Sequence, residues 1–172
     1  MAQLNTPCVA LDCEMVGTGP LADIDMLARA SLVNQDGECI YDRYVKPSQK
    51  ITSYRTSVSG ITPDLLIDAT DFRTVQRDVA ALIKDSILVG HSVNHDLDVL
   101  ELKHPEAMTR DTAYYQPFML QNKNRSPSLK ILAQKELGLR IQQNDHNSVT
   151  DAQATMGIYR KHRKNWERKW NK

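Results

Sequence analysis

Residues 8–16, CVALDCEMV, form a nearly unbroken apolar run broken only by Asp12 and Glu14, the pattern of a short strand buried on both faces. The stretches 26–34 (MLARASLVN) and 38–46 (ECIYDRYVK) predict a second and a third strand, with Gln35-Asp36-Gly37 between them as a hairpin turn. Thr62-Pro63 opens a helical stretch. Within 71–84, Phe72, Val75, Val79, Leu82 and Ile83 fall on one helical face, and Asp71 stands where a capping side chain belongs. SILVG at 86–90 predicts a buried strand, followed by a helix over 94–102 and a short strand around 107–112. Ser128 is placed to cap a helix whose Leu129, Leu132, Ala133 and Leu137 share a face, and Gly138 ends it. A last helix begins near Asn147 or Ser148. Its apolar stripe of Ala152, Met156, Tyr159, Trp166 and Trp170 advances in steps of three and four, with Arg163 filling one slot.

The order is therefore three consecutive strands, then strands alternating with helices. That predicts an α/β fold with a mixed sheet covered by helices on both faces. An all-parallel dinucleotide-binding order does not fit, because no crossover helix separates the opening strands. Gly17-Thr18-Gly19 runs into Pro20 with no third glycine, which is a poor dinucleotide fingerprint. No repeat, low-complexity run or Gly/Ser linker interrupts residues 1–172, so a single domain is expected.

Composition changes this picture in one respect. The chain has 22 Lys+Arg against 21 Asp+Glu, a net charge of +1. Residues 160–172 hold seven of those bases and one acid, so the preceding 159 residues carry 15 bases and 20 acids. Lysines and arginines on the end of the last helix (159–172) can track phosphates while Trp166 and Trp170 stack on bases. Their place on the apolar stripe favours packing instead. Three cysteines with no CxxC pair do not make a closed disulfide set. The N-terminus lacks a secretory pattern, and no window approaches the roughly 18 apolar residues of a membrane span. A soluble intracellular protein with no membrane partner is expected.

The candidate chemistry lies in the acids. Asp12 and Glu14 are two apart in a strand and point to the same face. Two neighbouring carboxylates in an apolar strand need a cation, a basic partner or a raised pKa. All-oxygen ligands suit Mg²⁺ and Mn²⁺; exposure on a sheet edge beside arginines is the alternative. Asp96 and Asp98 follow the fourth strand near a helix start and point in different directions, and periodicity alone does not choose between them. His146 precedes the last helix and Asp151 lies in its first turns, so both can face one cleft, with His146 suited to act as a base near neutral pH.

Asp-x-Glu in the first strand (Asp12, Glu14), Gly-His-x4-Asp in the middle (Gly90, His91, Asp96) and His-x4-Asp near the end (His146, Asp151) resemble the three motifs of the DEDDh exonucleases. LDCEMVG, SYRTSVSGITP, ILVGHSVNHDL and HNSVTDAQATM resemble the Rex-type RNA exonucleases and the interferon-stimulated exonuclease. RSPSLKILAQKELGL looks most similar to the RNA exonuclease four type, which is linked to ribosomal RNA maturation. The resemblance implies a ribonuclease H-like fold, a five-stranded mixed sheet with helices on both faces. It selects Asp96 over Asp98. It implies a 3′-to-5′ exonuclease releasing nucleoside 5′-monophosphates from single-stranded RNA, with DNA as the alternative substrate. A catalytically inactive nucleic-acid-binding module is the competing class. Two divalent ions, Mg²⁺ or Mn²⁺, are expected on Asp12, Glu14, Asp96 and Asp151, with His146 as base. Met15, Val16, Arg55 and His91 are candidate substrate contacts; a salt bridge to an acid is the other role for Arg55. Asp111 is expected to be structural. RKHRK resembles a nuclear-import patch, and related proteins point to the nucleus or nucleolus.

Overall fold

The structure is a computed structural model and describes residues 7–168. Trp170 lies outside the described residues. The strands are β1 (Cys8–Thr18), β2 (Ile24–Asn34), β3 (Cys39–Tyr44), β4 (Ile51–Ser53), β5 (Ile87–Gly90) and β6 (Thr109–Asp111). The α-helices are α1 (Thr56–Ser59), α2 (Phe72–Ile83), α3 (Val93–Val99), α4 (Gln116–Gln121), α5 (Leu129–Leu132) and α6 (Ser148–Glu167). The sheet runs β3-β2-β1-β5-β6, with β4 added beside β1. β1, β2 and β3 are antiparallel neighbours, as their tight connections require, whereas β5 and β6 run parallel to β1.

The sheet thus has six strands where five were expected. The additional strand, β4, is three residues long, too short to carry an alternation that a sequence pattern could reveal. α1 and α4 likewise carry no usable periodicity. The helix expected over 129–137 begins as α5 and widens into a π-helical turn over Ala133–Leu137, ending on Gly138 at φ +70°. Ser128 caps it, its side chain accepting from the Ile131 amide.

Alternation along β1 divides the core. Cys8 and Ala10 pack with residues of α5 and α6 on one face, including Leu129, Ala152, Met156 and Ile158. Val9, Leu11 and Cys13 pack on the other face with Val75, Val79 and Ile83 of α2 and Leu97 of α3. β5 lies between β1 and β6, and its Ile87, Leu88 and Val89 are fully buried. The mixed sheet with helices on both faces is therefore the observed architecture.

α6 is held at its far end by a buried ion pair. Arg110 of β6 donates from Nε and Nη2 to the two carboxylate oxygens of Glu167, each at 2.7 Å, and Tyr159 donates to the same carboxylate at 2.9 Å. Trp166 packs beside them, stacked on Tyr115 with ring centroids 3.9 Å apart. This tryptophan is core, as its stripe position implied. Glu167→Ala would leave a guanidinium that is fully buried without its carboxylate. A loss of about 3–5 kcal/mol is expected in urea unfolding, and an apolar replacement of both partners should cost far less.

Candidate active site

The site forms where the sheet splits. β1 pairs with β5 through Cys8, Val9 and Ala10 only, because β5 ends at Gly90. On the same edge β4 reaches β1 at Gly17 and Thr18. Between them, the Cys13 amide donates instead to Oδ1 of Asp96 at 2.8 Å. A helix side chain thus takes the place of a strand carbonyl, which satisfies the buried N–H. The chain reaches this position through a sharp turn. Ser92 adopts φ +60°, and Asp111 accepts from the Ser92, Val93 and Ala113 amides at 2.8–2.9 Å. Asp111 has the structural role expected of it. A Cβ on Gly90 would lie 2.3 Å from that of Val93, so only glycine fits there.

Asp12 and Glu14 share the β1 face that α6 covers, and Asp151 in the first turn of α6 meets them. One carboxylate oxygen from each lies within 4.8 Å of the others. The helix start is fixed by Asn147, which accepts from the Val149 and Thr150 amides, and by a 2.6 Å hydrogen bond between Ser31 and Ser148 hydroxyls. Glu14 is 4% exposed and Asp151 2%. Glu14 Oε1 and Asp151 Oδ1 are buried without a hydrogen-bond partner.

Electrostatics follow from this crowding. Burial, then the charge of Asp151, pushes Glu14 up to about 8. Burial, then the charges of Asp96, Asp151 and Glu14, raises Asp12 well above the usual carboxylate range. Burial raises Asp96 to about 8 against the opposing Cys13 amide, and raises Asp151 against a hydrogen bond from Gln142. Orphaned buried oxygens on converging carboxylates are the donor set of a hard divalent cation. Asp12, Glu14 and Asp151 fit such an ion. Asp96 stands beside this trio, bound to β1, and Asp98 is exposed.

His146 lies in the loop before α6 with its Nδ1 3.9 Å from Asp151 Oδ2 and its side chain 38% exposed. Its amide donates to the Val58 carbonyl at 2.6 Å, so α1 holds this loop. Gly60, at φ +67°, ends α1 so close to the loop that a Cβ there would lie 2.8 Å from Asp145 Oδ2. Gln142 donates to Asp151 Oδ2 at 2.9 Å. Neither contact was visible in the sequence, apart from glycine's preference for a helix end.

The candidate substrate contacts are placed less directly. Arg55 takes the salt-bridge role, donating to Asp25 at 2.5 Å and to the Ala22 carbonyl at 2.7 Å. Asp25 also meets His95 at 2.8 Å, so one carboxylate ties the start of β2 to the start of α1 and to α3. Val16 is fully buried and packs in a cluster with Ala28, Ile61 and Leu66, so its side chain serves the core. Met15 is partly buried at a register shift in the β1–β2 ladder. His91 bonds Thr112 at 2.9 Å through Nδ1, and burial lowers its pKa.

Residues 9–159 match the RNase_T exonuclease family. The chain is 51% identical over 162 residues to RNA exonuclease 4 of Homo sapiens, covering 94% of this chain and 38% of that protein. It is 50% identical over 161 residues to RNA exonuclease 4 of Aspergillus fumigatus, covering 93% and 52%. The chain thus spans about half the length of these relatives or less. Among solved structures it resembles the Neurospora crassa Pan2 catalytic unit (protease and nuclease domain), with TM-score 0.81 and 29% identity over 95% of this chain and 28% of that one. It also resembles the Saccharomyces cerevisiae Pan2 pseudoubiquitin hydrolase-RNA exonuclease module in complex with AAGGAA RNA, with TM-score 0.80 and 30% identity over 94% and 29%.

The raised carboxylates set a pH dependence. A raised folded pKa means that the folded protein binds protons more tightly than the unfolded chain, so stability is present at low pH and lost as pH rises. For Glu14 and Asp96 the loss spans the interval from their ordinary range to about 8. Thermal melts in EDTA should therefore show Tm falling as pH rises through that interval. Added Mn²⁺ should raise Tm most at the alkaline end, and a Tm indifferent to Mn²⁺ at every pH would argue against the ion site.

Proposed function

The chain belongs to the RNase_T exonuclease family, and from that premise we propose that it is a metal-dependent 3′-to-5′ exoribonuclease of the DEDDh type, releasing nucleoside 5′-monophosphates. The observation that carries this reading is the convergence of Asp12, Glu14 and Asp151, with buried unpartnered oxygens, beside an accessible His146. Support for RNA comes from relatives named RNA exonuclease 4 and from a similar fold solved with RNA.

Phosphodiester hydrolysis needs an activated water and stabilisation of charge on the phosphate and the leaving 3′-oxygen. Two Mg²⁺ or Mn²⁺ ions, when bound, supply both. Asp12, Glu14 and Asp151 hold them in this reading, with Asp96 completing the set from the α3 side. His146 takes the proton of the attacking water. Its Nδ1 lies 3.9 Å from Asp151 Oδ2, which orients the ring and leaves Nε2 to accept the proton. The terminal 3′-hydroxyl sits near Glu14-Met15-Val16. Ribosomal RNA maturation in the nucleus or nucleolus is the setting we propose, supported by the RSPSLKILAQKELGL resemblance and the RKHRK patch.

Asp12→Ala should reduce Mg²⁺- or Mn²⁺-dependent degradation of a single-stranded RNA to background while the circular dichroism spectrum is kept. His146→Ala should slow turnover by ~10²–10⁴-fold with the Mn²⁺-induced rise in Tm retained. Monophosphate release should stop on a 3′-blocked strand. Wild-type rates in Asp12→Ala protein, or internal cutting of a circular RNA, would overturn the proposal. Faster digestion of a matched DNA strand would reassign the substrate.

A further inference from the structure

A second surface adjoins the carboxylates. Lys130, Ile131, Gln134, Lys135, Arg140 and Gln143 line an open groove of about 500 Å³ beside α5 and the π-helical turn. All six side chains are exposed, and no carboxylate lines it. The surrounding sequence is unusual for this molecule. Residues 121–143 contain five bases and one acid, whereas the rest of the first 159 residues contains 10 bases and 19 acids. The single acid, Glu136, is already paired with Lys161 at 3.2 Å and hydrogen-bonded to His162 at 2.8 Å, both from α6. Among the described residues, Lys130 and Lys135 donate to neutral oxygens, the Gln142 carbonyl and Gln121 Oε1, and to no carboxylate.

The groove connects to the site through one residue. Gln142 accepts from Lys130 Nζ at 2.9 Å with its carbonyl and donates to Asp151 Oδ2 at 2.9 Å with its side chain. A strand whose terminal phosphodiester sits on Asp151 therefore needs to pass only the width of Gln142 to reach the groove. Resting on the exoribonuclease reading above, we propose that this groove is the track for the RNA strand 5′ of the scissile bond, with Lys135 and Arg140 pairing with its phosphates. The aliphatic floor formed by Ile131 and the stems of the lysines and Arg140 accepts bases without reading their identity. Charge complementarity favours this occupant. A polyanion is drawn to an uncancelled basic strip in an otherwise acidic body, and the strip leads into the carboxylate cluster.

The test compares wild-type protein with Lys135→Gln/Arg140→Gln in Mn²⁺, on a dinucleotide and on a 12-nucleotide RNA of the same 3′ end. Both positions are exposed, and neither touches the carboxylates. The double variant should lose about tenfold or more in kcat/KM on the 12-mer, expressed mainly in KM. It should match wild type on the dinucleotide. The salt dependence of KM for the 12-mer should weaken by about 1.4 in log–log slope, at roughly 0.7 for each single-strand phosphate that is no longer neutralised. Lys135→Arg/Arg140→Lys should keep wild-type behaviour. An unchanged rate on the 12-mer, or an equal loss on both substrates, would overturn the track. A concentration-dependent dimer in sedimentation that the double variant abolishes would make the groove a self-association surface and also overturn it. Absence of turnover by wild-type protein on both RNAs would instead overturn the underlying exoribonuclease reading.

Discussion

Asp12, Glu14 and Asp151 place oxygens within 4.8 Å of one another where Glu14 and Asp151 are almost wholly shielded from water. Like charges in that setting persist only if protonated or bound to a cation, and the raised pKa of each acid expresses the first of these states. The surrounding structure serves to keep the acids together against their repulsion. Asn147 and the Ser31–Ser148 hydrogen bond fix the near end of α6, while the Arg110–Glu167 pair fixes its far end. A helix pinned at both ends cannot rotate Asp151 away from β1, so the repulsion is relieved by protons or metal rather than by movement.

The same constraint explains the split in the sheet. A β5 extended past Gly90 would pair with the β1 residues opposite the acids and leave no room for Asp96. Because β5 stops early, the Asp96 carboxylate accepts the Cys13 amide and its charge adds to the field on Asp12. Asp111 and Gly90 are the less visible requirements of that arrangement, one accepting three turn amides and the other allowing Val93 to close in. The opening at the ends of the parallel strands is where α/β sheets commonly bind ligands.

The charge balance also becomes spatial. A net +1 conceals an acid-rich body, a basic final helix and a basic strip beside α5. Four of the acids lie in or beside the cluster. Two divalent ions there would bring the chain from +1 to +5, changing a pocket that repels phosphate into one that receives it.

Local periodicity determined much of this in advance. A two-residue spacing put Asp12 and Glu14 on one face of a strand, the 3.6-residue repeat gave α2 and α6 their buried stripes, and Asp71, Ser128 and Asn147 marked helix starts. Family motifs separated Asp96 from Asp98, which periodicity could not. What remained hidden depends on pairings between residues remote in sequence. The Cys13–Asp96 hydrogen bond spans 83 positions, and the Asp25–Arg55 pair spans 30. β4 and α1 are three and four residues long, too short for any period to show, yet α1 holds His146 in place. A period reports which face of an element is buried; only the packing of elements decides which polar groups meet there. That is why the acids were legible in the sequence, while Gln142, the partner that takes up the charge of Arg55 and the groove beside the site were not.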